Sequence, residues 1–395
     1  MEKNIKRLVL IQVLSNAQFH LVVYTLFMLS KGFTTRQFFL IESAYYLVSL
    51  LMEIPTGVLS DTKSRKWSLV LASLVGLVTL PVIIVSNSFA LVLIAMGLAG
   101  VSAALVSGTD EALLFDSLQA LGRKSEFKKV TGQMSWASSL SMALAFIIGG
   151  LLADIDMTLA WWAYFGAGVL ALVVKLMLQE PPLSGEQKEQ SYRHHLGKSL
   201  KIAATGPAAY FVLYAATIWL FFSLGFWLWQ PYLELSRVPI AWFGFIYAAQ
   251  NVIGGYAAKQ AHRIEGRLGI RTTLALVPLL LALALVLESQ FLSVFGFAFI
   301  MIHAIASGCF HPLLSDYINQ RIPSARRATV LSLKNMLNSM LFMTLSPLVG
   351  HCIDHHSLPQ VLLPMGGIVT ALSLVFATVY PKANTGAFIL MENTQ

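Results

Sequence analysis

Long apolar runs separated by short polar breaks are the feature that most constrains how this chain can fold. A helix that crosses a bilayer needs roughly 20 apolar residues, and the runs predict twelve spans. The predicted limits are 5–30, 37–59, 67–86, 88–118, 129–153, 158–178, 207–233, 239–261, 271–287, 290–320, 326–351 and 358–380. Only 12% of the residues are charged, whereas a soluble globular domain carries about 25%. The sequence therefore predicts an all-α integral membrane protein and excludes a soluble domain or a disordered chain.

One polar break is much longer than the others and divides the spans into two groups of six. It covers residues 179–206 and contains prolines and charged side chains. We expect residues 1–178 and 207–380 to form two six-helix bundles joined by this linker, with residues 381–395 as a tail. The first apolar run is too long for the core of a signal peptide and is expected to be a permanent helix.

The distribution of basic residues predicts the orientation of the chain. Most of the 27 lysines and arginines lie near the N-terminus, in the linker and in alternate loops, such as Lys63 to Lys66. The opposite loops hold few, among them Lys31, Arg36 and Arg237. Because basic loops stay in the cytoplasm, both termini and the linker are expected to be cytoplasmic. This bias also explains the net charge of +8, so membrane lipid is the expected partner and nucleic acid is not.

An internal repeat appears at an offset of 200 residues. Ser107-Gly108 matches Ser307-Gly308, Asp116 matches Asp316, and Asp154 matches Asp354. A constant offset over this distance indicates two homologous halves in parallel orientation. Parallel repeats related by an axis along the membrane normal are one architecture of transporters, with the binding site near the midplane between the halves.

The loop after the second span, residues 57–66, carries a family signature. It contains Gly57, Asp61, Arg65 and Lys66 in the spacing found between the second and third helices of the major facilitator superfamily, with Ser64 in place of the usual glycine. The resemblance implies the fold of that family: twelve transmembrane helices in two pseudo-symmetric six-helix bundles. Residues 53–57 and 107–116 resemble a bacterial group of drug or metabolite exporters, which implies a location in the bacterial inner membrane.

The signature loop suggests a conformational latch. Asp61 can accept hydrogen bonds from the N–H groups at the start of the eleventh span, and Arg65 can pair with Asp116. Together with Lys66 and the repeat counterpart Asp316, they would hold the cytoplasmic side shut. The alternative is a solvated basic loop that only fixes topology.

Polar side chains inside the predicted spans are candidates for the substrate cavity, since such groups normally face a cavity or a partner. Helical spacing aligns several of them on one face of a span, and the resemblance places spans 1, 4, 7 and 10 around the cavity. The candidates are Asn16, His20, Tyr24, Tyr46, His303, His311, Asn335 and Asn338. Helix packing is the alternative for each histidine, and a metal-binding role is a second alternative for His303 and His311.

Aromatic residues of the seventh span and polar residues of the eighth extend this set. Tyr214, Trp219 and Phe222 could stack on a flat or amphipathic substrate, with lipid contact as the alternative. Tyr247, Gln250 and Asn251 would add hydrogen bonds at a similar depth.

These observations predict a secondary transporter that moves a small organic molecule by alternating access. The first hypothesis is proton-coupled efflux of an amphipathic compound or metabolite, by a monomer that needs no cofactor. Uptake of a siderophore or peptide-like nutrient is the alternative, because the arginine and the Gly-Pro pair of many exporters are missing from spans 4 and 5. No nucleophile motif, nucleotide-binding loop or metal-ligand spacing indicates an enzyme.

The coupling proton is assigned to carboxyl groups. Asp110 and Glu111 are adjacent in the fourth span, where burial and mutual repulsion are expected to favour protonation of one of them. Glu111 is the predicted carrier and Asp110 its modulator, with Glu42 and His20 as further candidates. A purely structural role at the end of the span is the alternative for the pair.

Overall fold

The computed structural model describes residues 1–181, 206–321 and 324–380, and these residues form helices and loops without a β-strand. They contain twelve helical segments. These are α1 (Glu2–Ser30), α2 (Thr35–Thr62), α3 (Arg65–Val85), α4 (Phe89–Ala120), α5 (Phe127–Ile155), α6 (Met157–Leu176), α7 (Gly206–Leu235), α8 (Ile240–Leu268), α9 (Ile270–Gln290), α10 (Phe297–Arg321), α11 (Ser324–His355) and α12 (Leu358–Val379). All but α8 are long and apolar enough to cross a membrane by length and composition. The prediction of an all-α membrane protein is confirmed.

Two helices that the sequence predicts to be continuous are interrupted. In α1 the helix stops at Ser15, continues as a 3₁₀ segment over Phe19–Val23 and resumes as α-helix over Tyr24–Ser30. In α4 the break lies at Ser107 and Gly108, and Gly108 has a φ of 71°, a conformation that glycine adopts without steric cost. The continuous-helix prediction was wrong at both places.

Local signals account for several helix starts. Thr34 and Gln37 form a capping box at the start of α2, which satisfies backbone N–H groups that have no partner inside the helix. Ser64 caps α3 by accepting a hydrogen bond from the N–H of Trp67. The serine that replaces the usual glycine of the signature loop therefore begins the next helix.

The helices form two halves, α1–α6 and α7–α12. We call the end of the bundle that holds Met1 and Glu180 the linker end and the opposite end the far end. The halves contact each other mainly through α2 with α11 and α5 with α8. The domain limits stay a prediction, because residues 182–205 and 381–395 lie outside the described residues.

Candidate substrate cavity and proton site

A cavity of about 170 Å³ lies between the two halves. Tyr46 of α2 contributes the wall from the first half. The second half contributes side chains of α7 and α11, namely Trp219, Ser223, Asn335, Asn338, Ser339 and Phe342. The cavity is therefore divided between the two repeats, as a transporter site at a repeat interface would be.

The cavity lining combines aromatic rings with uncharged hydrogen-bonding groups. The rings of Tyr46 and Phe342 lie 4.9 Å apart, and the ring of Trp219 lies 4.5 Å from that of His311. The Oδ1 atom of Asn338 is buried and has no hydrogen-bond partner among the described residues. A buried acceptor without a partner is costly unless a ligand or water donates to it. The lining suits a flat, polar molecule without a large net charge.

Next to the cavity, toward the far end, the halves are in direct contact. The hydroxyl of Ser43 on α2 donates to the carbonyl of Met343 on α11, at 3.0 Å. Phe39 lies 6.1 Å from the ring of Phe342. These contacts close the cavity on its far-end side.

Carboxylates of α5 and α11 complete this seal at the far end. The Asp354 carboxylate of α11 accepts hydrogen bonds from the N–H groups of Thr35 and Arg36, at 2.7 and 3.0 Å. Asp154 of α5 accepts from the N–H of Ala241 at 3.3 Å. Asp154 and Asp354 are the pair that the 200-residue repeat relates, so each half places the same carboxylate on a helix N-terminus of the other half.

Glycines allow α5 and α8 to touch along this seal. A Cβ atom on Gly150 would lie 2.7 Å from the nitrogen of Gly244, and a Cβ on Gly244 would lie 2.1 Å from the carbonyl oxygen of Phe146. No real side chain fits at these distances, so backbone contacts backbone. Gly149, which precedes Gly150 on α5, also packs against backbone, because its Cβ would lie 2.0 Å from the carbonyl oxygen of Phe19.

A second polar site lies inside the first half. Glu42 of α2 is 3% exposed and accepts a hydrogen bond of 2.5 Å from the hydroxyl of Tyr24. His20 is stacked on Tyr164, with ring centroids 4.2 Å apart, and lies 4.4 Å from Trp161. Among the ion pairs of the described residues, none includes Glu42.

The predicted burial of Glu111 is wrong. Glu111 is exposed and lies in the first turn of the helix that follows the break in α4, so the interruption removes it from a continuous buried span. Asp110 is half-buried and accepts a hydrogen bond from the side chain of Gln12. The roles assigned to the two residues stay predictions.

The break in α1 also separates the polar residues that the sequence aligns on one face. Asn16 bonds to Gln12 and to Ser138 of α5, whereas His20 and Tyr24 lie in the aromatic interior near Glu42. Asn16, His20 and Tyr24 therefore do not form one stripe along a cavity.

Several other candidates lie in packed regions away from the cavity wall. The buried hydroxyl of Tyr214 donates to the carbonyl of Leu274, and Tyr247 accepts from the side chain of Gln230. Phe222 and His303 are both 2% exposed and lie with their rings 5.1 Å apart. Gln250 and Asn251 are half-buried on α8 and are not part of the cavity lining.

The signature loop is held within the first half. The guanidinium group of Arg65 contacts the carboxylate of Asp116, and both residues belong to helices of that half. Glu180 accepts hydrogen bonds from the N–H groups of Arg65 and Lys66, at 2.9 and 3.0 Å. The Asp61 side chain and its predicted partners at the start of α11 lie outside the described side chains, and Asp316 is exposed. The latch stays a prediction.

Sequence reasoning missed Ser223, Ser339, Phe342 and Gln230. Small hydroxyl residues and phenylalanine carry no signal of their own in an apolar helix. The pair Gln230-Pro231 did carry one, because an amide beside a proline within a predicted span marks a place where a helix needs outside partners.

Comparisons with known proteins show the family to which this chain belongs. The sequence matches the Major Facilitator Superfamily over residues 8–347. The nucleoside transporter NupG has a similar structure, with a TM-score of 0.82, 14% identity and coverage of 95% of this chain and 99% of that one. At such identity the likeness shows the fold alone. No curated protein matches the sequence significantly.

Two further structures have the same fold. A bacterial homologue of the human lysosomal transporter Spinster, in an inward-facing and unoccupied conformation, has a TM-score of 0.71, 15% identity and coverage of 96% of this chain and 95% of that one. An auto-inhibited peptide transporter of the POT family has a TM-score of 0.71 and 11% identity, over 96% of this chain and 98% of that one.

Proposed function

Because this chain belongs to the major facilitator superfamily and is a membrane transporter rather than an enzyme, we propose that it moves a flat, polar organic molecule by alternating access. The observation that carries this proposal is the cavity between the halves, whose wall comes from both of them. In the described conformation the seal lies on the far-end side of the cavity. The basic loops predict that the far end faces away from the cytoplasm, so this conformation would be the inward-open one.

The cavity lining supports an uncharged heterocycle with hydroxyl or amide groups as the substrate. Trp219, Tyr46 and Phe342 provide ring faces for stacking, and Asn335 and Asn338 provide amides for hydrogen bonds. Nucleosides have this chemistry, and the structurally similar NupG is a nucleoside transporter. Aromatic metabolites with similar polar groups also belong to the proposed substrate class.

The coupling ion in this proposal is a proton held at Glu42. A buried carboxylate without a cation is costly inside a membrane, and a proton removes that cost. Tyr24 donates to the same carboxyl group, and His20 lies with its ring 6.1 Å from that of Tyr24. This assignment moves the proton from Glu111, the first candidate of the sequence, to a site that is closed to solvent.

We propose export as the direction of transport. The substrate would leave the cytoplasm for the far side, driven by protons that move into the cytoplasm. Uptake is the second candidate. It is favoured by two features that many exporters have and this chain lacks: an arginine in the fourth span and a Gly-Pro pair in the fifth, where Gly149 and Gly150 pack against backbone instead.

Flux into proteoliposomes with an imposed pH gradient tests the proposal. The panel contains labelled nucleosides, aromatic metabolites and a small peptide, and each is measured with the gradient in both directions. We expect one of the first two classes to move against its own gradient. The direction of the driving gradient decides between export and uptake.

Matched variants connect the flux to the cavity. Asn338→Leu removes the amide with the buried acceptor and should raise the KM roughly 5- to 30-fold, because a hydrogen bond inside a cavity contributes about 1–2 kcal/mol. Gln290→Met changes an exposed side chain at the far end and should leave the KM unchanged. Transport of the peptide alone, or equal effects of the two variants, would overturn the proposed substrate class.

A further inference from the structure

The break in α1 is filled by a side chain from the other half of the molecule. Gln230 of α7 is 0% exposed. Its Oε1 accepts a hydrogen bond of 2.8 Å from the N–H of Thr25, and its Nε2 donates one of 2.8 Å to the carbonyl of Leu21. In an uninterrupted α-helix the N–H of Thr25 would donate to the carbonyl of Leu21, four residues earlier. The carboxamide of Gln230 is therefore inserted into one hydrogen bond of α1.

One backbone hydrogen bond of α7, next to Gln230, is missing in the same way. Pro231 has no N–H group, so it cannot donate to the carbonyl of Trp227 as a helical residue would. The hydroxyl of Thr25 donates to this carbonyl at 3.0 Å. Each helix thus supplies a side chain that satisfies the broken backbone of the other.

This exchange joins two elements that alternating access would separate. The 3₁₀ segment belongs to the first half and Gln230 to the second. If the far end opens as the proposed function requires, Gln230 leaves, and the backbone groups of Leu21 and Thr25 lose their partners. Backbone groups without partners are costly inside a membrane. The N–H of Thr25 can then donate directly to the carbonyl of Leu21, which restores the α-helical hydrogen bond.

We propose that the segment Phe19–Val23 is a two-state element, in which Gln230 is the positioning residue. With the far end closed, Gln230 holds the segment as a 3₁₀ helix, and Tyr24 contacts Glu42. With the far end open, the segment becomes α-helical. The inference rests on the proposed alternating access.

The geometry of the two helix types gives the size of the movement. A 3₁₀ helix turns about 120° and rises about 2.0 Å per residue, against about 100° and 1.5 Å in an α-helix. Over the five residues of the segment, the change rotates Tyr24 by roughly 100° and shortens α1 by about 2.5 Å. A rotation of this size takes the Tyr24 hydroxyl off Glu42. Opening of the far end would therefore uncover the carboxyl group that is proposed to carry the proton.

The 3₁₀ segment packs closely against α5. A Cβ atom on Gly149 of α5 would lie 2.0 Å from the carbonyl oxygen of Phe19. The backbone of the 3₁₀ segment thus occupies the space that any side chain at position 149 would need.

Two measurements on the full chain in lipid nanodiscs test the proposal without a transport assay. The first is the distance between spin labels on Asn87→Cys and Leu292→Cys, which lie in far-end loops of different halves, in a background of Cys309→Ala and Cys352→Ser. The second is hydrogen exchange of the peptide that covers residues 19–26. Both are compared between the parent chain, Gln230→Met and the control Gln290→Met.

For Gln230→Met we expect the ratio of far-end-closed to far-end-open molecules to fall roughly tenfold, because two buried hydrogen bonds between the halves are lost. The 19–26 peptide should keep its protection, since Thr25 then bonds to Leu21. Thr25→Val removes only the hydrogen bond from the Thr25 hydroxyl to the carbonyl of Trp227. It should therefore lower the ratio of closed to open molecules by less than Gln230→Met does.

An unchanged distance in Gln230→Met and Thr25→Val would overturn the proposal. The proposal would also be overturned if Gln230→Met had a wider far-end distance together with faster exchange of the 19–26 peptide. The break in α1 would then persist without Gln230, instead of changing to α-helix. An equal effect of Gln290→Met would show that the response is not specific. A chain that fails to transport any compound would still give these readouts, so failure of the proposed function is distinguishable.

Discussion

Asp354 is predicted to stabilise the closed far end, so that replacing it by alanine opens that end. Its carboxylate bonds to the first two N–H groups of α2, while the capping box at Thr34 satisfies the third, Gln37. These contacts join the two halves, so their loss changes the balance between conformations.

The size of the effect follows from the contacts of Asp354. Loss of a carboxylate cap costs about 0.5–2 kcal/mol, and the interaction of an exposed charge with the helix dipole adds about 0.3–1 kcal/mol before screening by salt. Asp354 is exposed, so we take about 1 kcal/mol as the net effect, which is roughly a fivefold change in the ratio of closed to open molecules. Asp354→Asn removes the charge but keeps an acceptor, and should lose about half of this.

Spin-label distances between Asn87→Cys and Leu292→Cys measure this ratio directly. The matched control is Asp156→Ala, since Asp156 caps α6 by accepting from the N–H of Thr158 at 2.7 Å, within one half. The control should lower thermal stability and leave the distance distribution unchanged. The reasoning is refuted if Asp354→Ala leaves the far-end distances as they are, or if Asp156→Ala shifts them as much.

Three further predictions concern the proton, the seal and the pH dependence of a cap. Glu42→Gln should abolish flux driven by a pH gradient and keep exchange of labelled for unlabelled substrate, and retained driven flux would exclude Glu42 as the carrier. Gly244→Ala should prevent closure of the far end, because its Cβ would overlap the carbonyl of Phe146; wild-type label distances in this variant would contradict the close contact. Hydrogen bonds from Thr158 lower the pKa of Asp156 below its ordinary value of 3.8, so the cap stabilises the fold above that pH and loses this effect as the pH falls through the lowered pKa. Asp156→Asn should therefore reduce the melting temperature at pH 7 and have less effect near pH 3.

The helical architecture could be predicted because a single physical requirement sets it. Every span must bury about 20 residues in an apolar solvent, and this requirement is visible in local composition. The repeat of 200 residues was equally visible, and it relates Asp154 to Asp354. The structure adds that each member of this pair accepts hydrogen bonds from a helix N-terminus of the opposite half, which a repeat alone does not predict.

The details of the two sites could not be predicted in the same way, because they depend on contacts between distant segments. The stripe of Asn16, His20 and Tyr24 assumed a continuous helix, and the break in α1 is satisfied by Gln230, more than 200 residues later in the chain. Glu111 was assumed to be buried for the same reason, and the turn at Gly108 exposes it. Helical periodicity is a local property, and it fails where a partner in another half replaces a backbone hydrogen bond.

Covalent closure of the far end is the most direct test of alternating access through this cavity. Ser43→Cys and Met343→Cys can be joined by a short thiol cross-linker, since the Ser43 hydroxyl lies 3.0 Å from the Met343 carbonyl. The account predicts that the cross-linked protein still binds its substrate from the linker end, transports none, and recovers flux when a reducible cross-linker is cleaved. Flux at the uncross-linked rate through a covalently closed far end would contradict the account.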